Sequence, residues 1–127
     1  MAVILDTNAV SALLAGDSSL GEVLASDERH HLPAIVIGEY RYGLLGSRHR
    51  DHLQRLLRIL IRESYVLGID ETTADHYSQV RDELRRKGRP IPENDIWIAA
   101  VARQHQQPVV SRDDHFDYVQ DLRRVEW

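Results

Sequence analysis

Residues 1–10 read MAVILDTNAV. Val3, Ile4 and Leu5 form an apolar run that stops abruptly at Asp6, Thr7 and Asn8. Such a run before a polar break fits a short, fully buried strand. From about Ala9 to Leu14 the pattern changes to that of a helix. The strand therefore ends in a carboxylate, a hydroxyl and an amide. Asp6 alone has an ordinary explanation as a turn residue or helix N-cap. The rest of the chain decides whether it has company.

Strand and helix patterns alternate from there on. A second short helix spans about Ser19 to Ala25, after the stop and cap in AGDSS. HHLP (His30–Pro33) reads as a second strand, and AIVIGEYRYGLL as a helix despite its β-branched start. Leu53, Leu56, Leu57 and Leu60 recur at helical spacing and mark an amphipathic helix from about Arg50 to Arg62. YVLGI (Tyr65–Ile69) is a third strand. Thr72 or Thr73 can cap the next helix, which Gly88 ends. DIWIAAVARQH is apolar nearly all round and predicts a helix buried on more than one face. PVVS is a fourth strand and RRVEW a candidate fifth. This alternation predicts a three-layer α/β/α sandwich around a mostly parallel sheet of four to five strands.

A chain of 127 residues with 43% hydrophobic and 28% charged residues suits a soluble globular protein, expected to form a single domain over residues 1–127. With no cysteine, disulfides, thiolate-held zinc and a cysteine nucleophile are excluded. The opening segment lacks the basic start of a signal peptide, and no apolar run could span a bilayer. A cytoplasmic protein without membrane contact is the expectation. The net charge of −4 does not advertise a nucleic-acid binder, yet every basic residue except Lys87 is arginine. Arginine suits two-pronged contacts to phosphate or carboxylate. RRKGRP (Arg85–Pro90) is either a local basic patch or a solvated helix end whose cations suit the helix dipole.

The acids then fall into a pattern. Asp6 follows the first strand and Asp113 the fourth. In a parallel sheet the C-terminal strand ends share one edge, where open α/β sheets bind ligands. Asp95 opens the apolar helix, whose dipole favours its ionised form. Glu39 sits on a helix among Ile35, Tyr42 and Gly43, so its neighbours are apolar or small. Each has a plain reading as a cap, a turn residue or a solvated acid. Together they would repel, and a pocket of several carboxylates is stable only with shared protons or a cation. Oxygen-only ligands select hard ions such as Mg²⁺ or Mn²⁺, which can polarise a phosphoryl oxygen and activate water.

With ILDTN, GEYRYG, NDIWIAA and VSRDDHF present in this order, the chain resembles the PIN-domain family, and within it the VapC-type ribonuclease toxins of toxin–antitoxin pairs. The resemblance covers essentially the whole chain. It implies a catalytic acid set of Asp6, Glu39, Asp95 and Asp113. Mg²⁺ or Mn²⁺ would be held mainly by Asp6 and Asp95, with Asp113 helping directly or through water. Asp114 and Asp117 are the alternatives to Asp113, which its spacing to Ser111 and Phe116 favours. Glu39 would complete the pocket and help orient water. Thr7 and Asn8 would support Asp6, Asn94 matches the family's usual Asn beside the third acid, and Ser111 keeps the hydroxyl of the more usual Thr. The family's Pro-Gly after the last motif is absent, and YVQDL occupies that region.

The resemblance further implies cleavage of single-stranded or loop RNA. The partner would be an antitoxin whose C-terminal segment, often carrying an arginine, plugs the acidic pocket. Homodimers are common in the family. Arg85, Arg86, Lys87 and Arg89 would then be candidate phosphate contacts. Two related outcomes are a stand-alone PIN nuclease and a PIN-like module that binds RNA or protein without cutting. Other classes fit less well. A response-regulator receiver needs paired acids after the first strand and a well-placed lysine. An Asp-x-Asp phosphatase needs a carboxylate where Asn8 stands, and no glycine-rich nucleotide loop occurs. His49 and His52 have a ligand-like spacing but open a polar helix without a third ligand, and His115, beside Asp114, reaches at most the pocket rim.

Overall fold

The computed structural model describes residues 2–24 and 30–127. The first strand, β1 (Ile4–Leu5), is fully buried and runs into α1 (Thr7–Leu14) and α2 (Ser18–Val23). Both helices begin a residue or two earlier than the apolar pattern marks, because aspartates cap them. Asp6 caps α1, and Asp17 accepts the Ser19 and Leu20 backbone N–H groups at α2. The expected end of α2 at Ala25 lies outside the described residues. β2 (His31–Pro33), α3 (Ala34–Leu44), α4 (Arg50–Arg62) and β3 (Tyr65–Leu67) follow. β3 stops two residues short of the apolar run's end at Ile69. Leu57 and Leu60 of the leucine stripe are the buried residues of α4.

The next helix, α5 (Glu71–Lys87), differs from expectation at its start. Asp70 is the cap, accepting the Thr73 N–H at 2.9 Å, while the Thr73 hydroxyl accepts the Asp70 N–H at 3.1 Å. This reciprocal capping box satisfies two N–H groups at once, which a lone Thr72 or Thr73 cap cannot do. Gly88 ends α5 with φ of 65°, a left-handed turn that favours glycine. α6 (Glu93–His105) starts two residues before Asp95 and buries Ile96, Ile98, Ala99, Ala100, Val101 and Ala102. β4 (Val109–Val110), a 3-10 helix at Asp114–Tyr118, and β5 (Arg124–Val125) complete the order.

Among the described residues the five strands form one parallel sheet in the order β3-β2-β1-β4-β5. The chain moves outward from β1 through β2 to β3, then crosses back to β4 on the other side of β1. Parallel crossovers share one hand, so connections running in opposite directions lay their helices on opposite faces. Contacts follow that division: α1 touches α2, α3 and α4, whereas α5 lies along α6. The Arg103–Glu83 ion pair at 2.6 Å and the Tyr77–Trp97 stack at 3.9 Å join those last two helices. The reversal of strand order between β1 and β4 opens a crevice at the C-terminal sheet edge. α3 also touches α6. Among the described residues no helix is long and apolar enough to cross a membrane.

Ile98 is fully buried at the centre of α6. Ile98→Ala is expected to lower the unfolding free energy in a urea titration by about 2–5 kcal/mol, the transfer and cavity cost of such a truncation. A loss well under 1 kcal/mol would mean that the inner face of α6 is not packed as described.

Candidate active site

Four acids from four elements line one cleft of about 950 Å³: Asp6 after β1, Glu39 on α3, Asp95 in the first turn of α6 and Asp113 after β4. Asp6 is the most enclosed, at 3% exposure. Its Oδ2 accepts the Ser111 hydroxyl at 2.6 Å and its Oδ1 accepts the Thr7 N–H at 2.7 Å. Burial pushes its carboxyl up to about 6, helped by repulsion from Asp95 and Asp113 and opposed by those two hydrogen bonds.

Ser111 is fully buried and joins the two central strand ends. Its Oγ accepts the Asp113 N–H at 2.9 Å and the Asn8 side-chain amide at 3.3 Å. The Asn8 carbonyl in turn accepts the Arg112 N–H at 3.3 Å. Asn8 therefore supports Asp6 through Ser111. Thr7 divides its work: its backbone serves Asp6, while its hydroxyl donates to Glu39 Oε1 at 2.9 Å. Glu39 is half-buried as a result of facing the cleft.

Asp95 is buried, and burial raises its carboxyl above the ordinary range. Repulsion from Asp113 and Glu39 acts in the same sense, and a hydrogen bond from His115 opposes it. The His115 Nδ1 lies 3.1 Å from Asp95 Oδ2 and 3.9 Å from Asp113 Oδ1. The hydrogen bond to Asp95 holds the imidazole pKa above its usual value. Single atoms of Asp95, Asp113 and His115 all fall within 4.8 Å of one another, close enough to share a metal ion. Asp6 lines the same cleft but stands outside that triplet.

Asp113 lines the cleft, whereas Asp114 and Asp117 do not. Asp117 is engaged elsewhere: both its oxygens pair with Arg124, at 2.9 Å each. Asn94 is exposed and makes none of the hydrogen bonds around the acids. The basic end of α5 is also outside the cleft lining. Arg85 and Arg86 pair with Asp82 at 3.3 and 3.0 Å, Lys87 donates to the Tyr118 carbonyl at 3.0 Å, and the Arg89 guanidinium lies over the Tyr118 ring. The cation that does line the cleft is Arg112. It rests on the Trp127 ring at 4.5 Å and lies 3.5 Å from Asp17.

Two residues were thus undervalued in the sequence. Arg112 has no patch to advertise it, but its place between Ser111 and Asp113 at a strand tip is a usable signal. His115 lies two residues beyond Asp113 and directly before the fully buried Phe116, which fixes the turn that aims it. Crowded carboxylates, with the carboxyls of Asp6 and Asp95 raised and an imidazole beside Asp95, form a pocket that is short of positive charge. Protons or a divalent cation can supply it.

The PIN domain family model matches residues 3–122 of the chain. Ribonuclease VapC5 of Mycobacterium tuberculosis is 32% identical over 125 residues, covering 97% of this chain and 91% of that protein. The fold superposes on the crystal structure of VapBC2 from Rickettsia felis, bound to a DNA fragment from its promoter, with a TM-score of 0.87. That pair is 26% identical, covering 100% of this chain and 99% of the other. A TM-score of 0.79 at 28% identity relates it to VapBC-5 of Mycobacterium tuberculosis, a member of the VapBC family of toxin–antitoxin systems, over 99% of this chain and 98% of that one.

The electrostatics of Asp6 have a thermodynamic consequence. Its carboxyl titrates at about 6 in the fold against 3.8 as a free group. Between those values the unfolded chain gives up the proton first, so stability falls as pH rises through the window and levels off above it. The loss amounts to up to about 3 kcal/mol. Asp6→Asn removes the charge and keeps a capping oxygen. Without metal it should be more stable than the parent at neutral pH, with the gap closing below pH 3.8. Urea unfolding at both pH values checks this, and a parent at least as stable as the variant at neutral pH contradicts it.

Proposed function

The chain belongs to the PIN domain family, and on that premise we propose that it is a Mg²⁺-dependent endoribonuclease, the toxin of a toxin–antitoxin pair. The observation that carries this reading is the convergence of Asp6, Glu39, Asp95 and Asp113, from four separate elements, on one cleft. Degenerate binding modules of the same architecture would be expected to lack one or more of these acids, and all four are present. Residues 1–127 would act as one nuclease domain.

The donor set fits a hard divalent ion, because buried carboxylates with raised pKa gain most from a nearby positive charge. Asp6, Asp95 and Asp113 would hold Mg²⁺, with Mn²⁺ as a substitute. Bound there, the ion supplies Lewis-acid polarisation of a phosphodiester oxygen and acidifies nearby water. The chain's own residues do the rest. Ser111 and Thr7 fix the Asp6 carboxylate, so that it does not reorganise during the reaction. Glu39, held through one oxygen by Thr7, keeps the other to orient the attacking water and take its proton. Arg112 offers the cleft a cation for a neighbouring phosphate.

The partner proposed is an antitoxin segment carrying an arginine, whose guanidinium pairs with the carboxylates and takes the place of the metal's charge. A homodimer is supported by large apolar side chains left exposed at the end of α3, Tyr42 at 79% and Leu45 at 62%. The proposed setting is the cytoplasm. Arg85, Arg86, Lys87 and Arg89 remain the proposed outer phosphate contacts, at the exposed end of α5.

The direct test is RNA cleavage with Mg²⁺, with chelator, and with Asp6→Asn. Rate should fall at least about a hundredfold in either of the last two cases, the scale on which single catalytic groups count. Cleavage surviving both would place the activity outside this cleft. For the α5 cations, replacing Arg85, Arg86 and Arg89 with glutamine should flatten the dependence of RNA binding on salt, by a slope of about 0.7 per lost single-strand phosphate contact. An unchanged slope removes them from the RNA interface.

A further inference from the structure

We propose that His115 supplies a nitrogen ligand to the divalent ion of this cleft, making the site a mixed carboxylate–imidazole one that favours Mn²⁺ over Mg²⁺. The inference rests on reading the cleft as a metal site. It goes beyond that reading in naming a ligand and a metal preference that the acid set alone does not give.

Geometry is the first support. Ligands bound about 2.1 Å from one octahedral ion lie about 3 Å apart when adjacent and a little over 4 Å apart when opposite. The His115 Nδ1 is 3.1 Å from Asp95 Oδ2 and 3.9 Å from Asp113 Oδ1, so both separations fall in that range. The compact triplet among the described residues is Asp95, Asp113 and His115, not the carboxylates alone. The second support is how the ring is held. Asp113 precedes the 3-10 helix, His115 lies in its first turn, and Phe116 anchors that turn in the core at 0% exposure. The imidazole side chain is 38% exposed and stands beside the lining acids Asp95 and Asp113 without itself lining the cleft.

Ligand chemistry is the third support. With metal, the neutral ring would keep its proton on Nε2 and present the Nδ1 lone pair. Mg²⁺ prefers oxygen ligands and gives up water reluctantly, whereas imidazole suits the transition ions. Replacing one oxygen donor by this nitrogen therefore shifts preference towards Mn²⁺. The rival role is that His115 merely orients Asp95 by a hydrogen bond.

The two roles separate by spectroscopy, without recourse to activity. Mn²⁺ is titrated into the full chain and bound ion is counted by its paramagnetic resonance. Pulsed measurements then look for nitrogen coupling, in chain made with ordinary and with ¹⁵N-labelled histidine, and in His115→Gln. The expected result is a histidine nitrogen coupling that changes with the label and disappears in the variant. Mn²⁺ affinity should fall on the order of tenfold in the variant, with Mg²⁺ affinity changing far less. Bound Mn²⁺ without nitrogen coupling in the unsubstituted chain overturns the proposal and leaves the carboxylate metal site standing. So does an equal loss for both ions, which marks His115 as a positioning residue. If the unsubstituted chain binds no Mn²⁺ at all, both the proposal and the metal-site reading fail. The labelled-histidine arm needs no substitution, and among the described residues His115 is the histidine that meets the acids, so a variant that folds poorly does not blunt the test.

Discussion

The hydrogen bond from the Ser111 hydroxyl to Asp6 Oδ2, 2.6 Å long, is the contact on which the site's architecture rests. β1 and β4 are two residues each, so their ladder offers few backbone bonds to fix the relative position of their tips. The ladder ends with the Asp6 N–H on the Val110 carbonyl. Beyond it, one buried hydroxyl takes over. A hydroxyl has one proton to give and two lone pairs to accept with, and here all three are engaged, by Asp6, the Asp113 N–H and the Asn8 amide. Asp6 and Asp113 are thereby set relative to one another by a single atom. Removing that oxygen would leave a buried carboxylate without its strongest donor.

Two opposed tendencies then shape the cleft. Sheet topology drives the acids together, because β1 and β4 flank the reversal of strand order and α6 is carried to the same edge by its packing on α5. Desolvation and mutual repulsion push them apart, and the raised carboxyls of Asp6 and Asp95 record the strain. The fold tolerates this because its apolar core is large and continuous, running from β1 and β4 through α6 to Phe116. Local devices relieve the rest: hydroxyl and backbone donors at Asp6, an imidazole at Asp95.

What the sequence makes legible is what depends on near neighbours. The apolar run before Asp6, the leucine stripe of α4 and the all-round apolar α6 are local patterns, and each element formed where its pattern lies. The meeting of Asp6 and Asp113 is readable because strand-end position is a topological property of parallel sheets, whereas Glu39 and Asp95 sit on helices whose placement only the order of motifs suggests. Errors arise where side chains choose among local partners. Asp70 takes the α5 cap because its box with Thr73 satisfies more groups than either threonine alone. Charge density drew attention to Arg85–Arg89, yet Asp82 one turn back and Tyr118 across the fold claim much of that cluster. The long-range bonds of Ser111 and the direction of His115 depend on tertiary placement, which no spacing encodes.

The cleft is asymmetric in a way that follows from these attachments. On one side Asp6 and Glu39 are clamped by short bonds from Ser111, at the end of β4, and Thr7, at the start of α1. On the other, Asp95, Asp113 and His115 meet at the start of a helix and in a 3-10 turn, and the imidazole and the Asp113 carboxylate are partly exposed. An enclosed wall facing a more solvent-exposed one suits an exchangeable charged occupant. The clamped carboxylates set where positive charge must sit, and the partly exposed pair leaves that position open to a divalent ion or a guanidinium from solvent. The same geometry that would serve an ion during cleavage would therefore receive an inhibitor's arginine, and the two occupants would compete for one deficit of charge.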